Sequence, residues 1–157
     1  MKRVLLILST SRTSNEAIEF AIDKAKTEGL GITALYIIDT TLTNELFDKF
    51  TDIGFIGDKP STELVESIMK EYRQRGYEEI GNVQKAAMEA GIDFDALTTQ
   101  GSYVQEALKA IKENNVENVV AVKRKISVFL KYFSKSPVDT LVEESTCEVK
   151  VFEQEED

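Results

Sequence analysis

Lys123, Arg124, Lys125, Lys131 and Lys135 put five of the chain's 19 basic residues into the stretch Val119–Ser136, VVAVKRKISVFLKYFSKS, and no acid falls among them. Val119–Val122 reads as a buried strand, and Ser136-Pro137 reads as the opening of a helix. Strand, loop and helix start in this order is how α/β proteins hold anions, because backbone N–H groups and the helix dipole favour negative charge there. The chemistry on offer is capture of a phosphate by Lys123, Arg124 and Lys125, with Ser136 at the helix start. The competing reading is a solvated loop that balances an acidic body, since the chain carries a net charge of −9.

Composition removes much other chemistry. With no histidine and one cysteine, Ser-His-Asp and Cys-His triads and the common zinc sites cannot be built from these 157 residues. A carboxylate-only magnesium site would need no histidine, but no distinctive acidic spacing marks one, so no metal site is expected. The lone Cys147 excludes an intramolecular disulfide and fits a reducing cytoplasm. A pI near 4.7 disfavours general nucleic-acid binding. No apolar run approaches the roughly 20 residues of a membrane span. Met1-Lys2-Arg3 before Val4–Leu8 faintly imitates a signal peptide. Its apolar run of five residues is short and no cleavage site follows, so a first strand is expected.

These residues need elements to position them. Val4–Leu8 is a continuous apolar run, as in a strand buried on both faces. The loop Ser9–Arg12 follows, and Thr13-x-x-Glu16 reads as a capping box opening a helix that Gly29 closes. Ile32–Ile38 is the second strand, parallel to the first through a right-handed crossover. Thr40–Pro60 is expected as a partly helical excursion at the sheet's C-terminal edge. It either packs on its own domain or a partner, or forms a lid over a crevice. From Pro60 to about Ala90, Leu64, Val65, Ile68, Met69, Tyr72, Ile80, Val83 and Ala87 recur at helical spacing, with Gly76 and Gly81 marking a bend or a close contact. Ile92, Phe94, Ala96 and Thr98 alternate with polar residues as an edge strand, and Ser102-x-x-Gln105 reads as a second capping box. The helix after it should bury Val104, Ala107, Leu108 and Ile111. After the basic stretch come the last helix and a fifth strand carrying Cys147, Val149 and Val151. The expectation is one domain over residues 1–152 with an acidic tail over 153–157.

KRVLLIL, ALYIID, TTQGSYVQEALKAIKENNVENVVAV and SKSPVDTLVEESTCEVKVF, in this order and spacing, resemble the universal stress protein family over nearly the whole chain. The resemblance implies an α/β fold with an open five-stranded parallel sheet, order 3-2-1-4-5, and helices on both faces. The switch point then lies between the ends of strands one and four, bringing Ser9–Arg12 opposite Lys123–Ser136. Nucleotide-binding members carry Gly, two residues, Gly, nine residues, Gly and then Ser or Thr after strand four. Here those positions hold Ala121, Arg124, Lys135 (after ten residues) and Ser136, so only the serine matches. Such members have an aspartate after strand one where Ser9 stands, and Ile37 matches a backbone contact to the base. The residues left for a ligand are Ser9, Thr10, Ile37, Lys123, Arg124, Lys125 and Ser136.

The resemblance therefore implies a stress-response or regulatory protein, not an enzyme, without a cofactor, that does not bind ATP in the family's usual way. A homodimer through the fifth strand is expected, with a protein partner as a further possibility and no membrane association. The alternative is a protein that binds ATP or another adenine nucleotide with magnesium through its basic loop. A nucleotide-alpha-hydrolase-type enzyme fits poorly, because Ser9–Ser14 has serines and lacks glycines. Stacking of bases, or contact with anionic lipid, by Phe129, Tyr132 and Phe133 beside the basic run is opposed by the 28 acids.

Overall fold

The computed structural model describes residues 1–9, 14–40, 58–123 and 136–154. Strand β1, Arg3–Ser9, is buried at every position. Its side chains alternate between two cores: Val4, Leu6 and Leu8 enter one, Leu5 and Ile7 the other. Only a strand covered on both faces needs so continuous an apolar run. Helix α1, Asn15–Glu28, lays Ala17, Ala21 and Ala25 against the first core and ends at Gly29, whose φ of 67° is left-handed. Its cap is Ser14, whose Oγ accepts from the Ala17 N–H at 3.2 Å, one residue beyond the capping box read from sequence. Strand β2, Gly31–Asp39, is also buried throughout.

Helix α2, Asp58–Glu89, crosses the first face, and strand β3, Phe94–Gly101, follows as an edge. Helix α3, Tyr103–Glu113, covers the second face with Tyr103, Ala107, Ala110 and Ile111; Val104 and Leu108 are only half-buried against it. Ser102 stands at its N-cap, but its side chain makes no capping bond, contrary to the box expected there. Strand β4, Val116–Lys123, helix α4, Pro137–Glu144, and strand β5, Glu148–Glu153, complete the chain. All strand pairs are parallel and the order is β3-β2-β1-β4-β5, as expected. Most of the Thr40–Pro60 excursion lies outside the described residues, and β5 begins after Cys147, whose Sγ lies 3.3 Å from the Val116 carbonyl oxygen.

The N-terminal end of the sheet is fastened by one buried cation. Arg3 donates from Nε to Thr33 Oγ1 at 2.6 Å, from Nη2 to the Ile32 carbonyl at 2.7 Å and from Nη1 to Asp93 Oδ2 at 2.8 Å. β1, β2 and the turn into β3 are thus held by one fork whose charge is paired and hydrogen-bonded, which makes its burial tolerable.

The two glycines of α2 have opposite surroundings. A Cβ on Gly76 would stand 2.7 Å from the Tyr36 ring, which is fully buried, so the helix approaches the sheet there only because it lacks a side chain. A Cβ on Gly81 would meet nothing within 4 Å. Gly76→Ala should therefore cost about 1–2 kcal/mol, overpacking outweighing helix propensity. Gly81→Ala should gain about 0.5–1 kcal/mol. Urea unfolding of the two variants checks the difference in sign.

Glu79 sits on the inward side of α2 between Gly76 and Val83, and its Oε2 is buried without a hydrogen-bond partner among the described residues. Burial pushes its carboxyl from 4.5 up to about 7, against the pull of Arg75. Below pH 4.5 the group is protonated folded or unfolded and costs nothing. Between 4.5 and about 7 the unfolded chain loses a proton that the folded chain keeps, so stability falls as pH rises, and the full penalty stands above 7. Glu79→Gln should raise stability by about 1–2 kcal/mol at pH 8, allowing for its partial contact with water, and change little at pH 4. Thermal unfolding at the two pH values measures it.

Candidate functional site

The paired positions of β1 and β4 end at Leu6↔Val120, although β1 continues to Ser9 and β4 to Lys123. The two strand ends therefore part at the point where the order reverses, with β2 and β3 leading one way and β5 the other. This is where an open α/β sheet forms its binding crevice.

The structure brings four of the seven candidate residues to this region. Ser9 ends β1, is buried, and lies in register with Ile37 on β2. Ile37 is fully buried; its side chain belongs to the second core, so only its backbone is left to face a ligand. Lys123 ends β4, and its carbonyl accepts from the Gln154 N–H at 2.8 Å, which ties the strand end to the segment after β5. Ser136 is buried at the α4 N-cap, where its Oγ accepts from the Val138 N–H at 3.2 Å. Pro137 follows at the first helical position, as the sequence predicts. Thr10, Arg124 and Lys125 lie outside the described residues.

The sequence did not reveal how these groups are already engaged. Lys123 Nζ lies 3.0 and 3.1 Å from the two carboxylate oxygens of Asp139, in the first turn of α4. The carboxylate has the positive helix end behind it and a lysine in front, an arrangement that stabilises its negative charge. The Ser136 hydroxyl accepts from its own helix. A ligand anion at this spot would have to displace Asp139 from Lys123 or bind beside the pair.

Two further polar groups belong to the same rim. Thr99, in register with Ile37 on β3, has its Oγ1 buried with no hydrogen-bond partner among the described residues. Asp39 is buried at the end of β2, in register with Gly101. The sequence carried a signal for both: each stands at a strand's C-terminal end, the side of the sheet on which ligands bind.

Comparison with known proteins gives the site its context. No curated protein matches the chain by sequence. Solved structures match its fold over nearly its full length. A universal stress protein from Lactobacillus plantarum is 13% identical with a TM-score of 0.71, covering 96% of this chain and 97% of that one. A universal stress protein family member from Burkholderia pseudomallei is 15% identical with a TM-score of 0.61, covering 96% and 95%. A family protein from Arabidopsis thaliana with AMP bound is 14% identical with a TM-score of 0.55, covering 99% and 93%. At such identities the likeness is one of fold. The sequence profile of the universal stress protein family matches residues 1–153, and the chain belongs to that family.

Proposed function

We propose that this chain is a stress-response or regulatory protein of the cytoplasm that works through association with itself or a partner, without catalysis, and does not bind ATP in the family's usual way. The observation that supports this reading most is the Lys123–Asp139 pair. The one described lysine of the basic loop is neutralised from within, at the helix start where a phosphate would sit. Ala121, Arg124 and Lys135 stand where nucleotide-binding members have glycines, the residues that most readily let backbone N–H groups close around a phosphate. The absence of histidine supports the non-catalytic part.

A second reading has its own support. The strand ends part at the switch point, the buried Thr99 hydroxyl near the C-terminal end of β3 is unpartnered among the described residues, and a structurally similar Arabidopsis protein carries AMP. In this reading Lys123, Arg124 and Lys125 hold an adenine nucleotide, with magnesium, through side chains.

Thermal shift with ATP, AMP and magnesium separates the two. The first reading predicts no shift in the parent chain at millimolar nucleotide. Binding a hundredfold tighter than the ligand concentration would add about 2.7 kcal/mol, a shift of several degrees. Such a shift, abolished by Lys123→Ala with Arg124→Ala, would establish the second reading. Asp139→Asn, which frees Lys123, should strengthen any phosphate binding there and leave the parent's affinity as the weaker of the two.

Association through β5 follows from its position as an edge strand. Val149 and Val151 are half-buried against the second core, and Phe152 packs on Phe20 with ring centroids 5.4 Å apart. The strand thus offers its backbone edge more than a free apolar face. Val151→Asp should give a monomer by light scattering with the circular dichroism spectrum retained. A dimer that survives the change places the interface elsewhere.

A further inference from the structure

Four large apolar side chains are well exposed among the described residues, and two of them share the outer face of α2: Tyr77 at 75% and Met88 at 68%. They are eleven residues apart, about three turns, and so lie within about 20° of each other around the helix. Gly81 stands between them on the same stripe, where its own fold gives no reason for a glycine. What a missing side chain does allow on an outer face is close approach by a second backbone.

Charge permits two copies to meet along this helix. Between Glu63 and Glu89 the exposed charged residues of α2 number five acids and four bases, so little net charge opposes a second copy of the same helix. Glu78 and Lys85 lie on one shoulder of the stripe, and neither makes an ion pair with any described residue. Tyr77, Gln84 and Met88 lie toward the other shoulder.

We infer that the outer face of α2 is a self-association surface, pairing two copies as antiparallel helices about a two-fold axis near Gly81. In that arrangement like shoulders meet and positions on either side of Gly81 exchange. Glu78 comes opposite the second copy's Lys85 within about 2 Å along the axis, and the reciprocal pair forms at the other end. Tyr77 packs on the second copy's Met88 and Gln84, an aromatic ring against a flexible thioether. A parallel pairing would set Glu78 beside Tyr77 and leave both charges without a partner, so the sequence is self-complementary in the antiparallel sense only. The surface is separate from both the switch-point crevice and the β5 edge. A single helix pair falls at the low end of specific interfaces, below about 1,200 Å², so the association is weak and shows at high concentration.

Sedimentation equilibrium of the full chain up to about 1 mM tests it, where a dissociation constant of about 1 mM or tighter becomes visible. Glu78→Lys and Lys85→Glu each turn both interfacial pairs into like charges and should weaken the step at least about tenfold. The double variant Glu78→Lys with Lys85→Glu should recover the parent's association to within about threefold, because the pairs are re-formed with signs exchanged. Both positions are exposed, so all three proteins should keep the parent's thermal midpoint. The inference is overturned by a parent chain monomeric at every concentration, by single variants that associate like the parent, or by a double variant that fails to recover. Association lost in Val151→Asp but intact in Glu78→Lys would assign it to β5 alone and overturn it likewise.

Discussion

Everything in this molecule hangs on β1 being buried on both faces. Its seven residues fill two cores at once, and each core is closed by a pair of helices, α1 with α2 and α3 with α4. Right-handed crossovers carry the chain outward from β1 in one direction through β2 and β3, then back across to β4 and β5. A reversal beside β1 is the consequence, and with it the parting of strand ends that makes a crevice. The single polar side chain that β1 commits to the interior before its last residue, Arg3, lies at the opposite end, where its hydrogen bonds span β1, β2 and the entry to β3. One end of the sheet is locked by a buried cation, and the other is left open.

What fills the open end is set by chemistry more than by fold. A phosphate loop works when backbone N–H groups converge, and convergence needs residues without Cβ atoms at the tight positions. By its resemblance to nucleotide-binding members, this chain would carry Ala121, Arg124 and Lys135 at those positions; Ser136 caps α4 with its own side chain. The helix start still favours negative charge, and Asp139 supplies it. Lys123 then has its counter-ion within the protein, bonded by both carboxylate oxygens. A lysine, a carboxylate and a helix start thus stand together at the end of β4.

The fold was legible because its signals are local and repeated. Two-face burial writes itself as an unbroken apolar run over Val4–Leu8 in β1 and one interrupted only by Thr33 over Ile32–Ile38 in β2, an edge as alternation in β3, and a helix stop as Gly29 or Gly91 with positive φ. Single caps were less secure. Thr13 and Ser14 both suit an N-cap, and which one serves depends on where the loop before them arrives. Ser102 occupies its cap without making the bond, because caps are placed by backbone path and only then by side chain. Tyr103, outside the stripe of Val104, Ala107, Leu108 and Ile111 read from sequence, is buried in the second core. The candidate site was legible in position and not in engagement. Lys123 and Asp139 are sixteen residues apart, and no periodicity joins a strand end to a helix turn across a loop. Gly76 and Gly81 look the same in sequence and differ only in what lies opposite each.

The net charge of −9 places a demand on any anion that approaches this crevice. At physiological ionic strength charges are screened over about 8 Å, so a nucleotide phosphate at the switch point senses its immediate surroundings and little of the distant acidic surface. Those surroundings include Asp39 and Asp139, both acidic, and β4–β5 register brings Glu153 beside Lys123. Against these, Lys123 is the one cation of the basic run whose place is described, and Asp139 has first claim on it. For this end of the sheet to attract a phosphate, the remaining cations of the run would have to work beside Asp39 and Glu153 and supply the hydrogen bonds that glycine N–H groups give elsewhere. The exposed face of α2 needs no such compensation: Glu78 and Lys85 stand there as opposite charges, and neither makes an ion pair with any described residue.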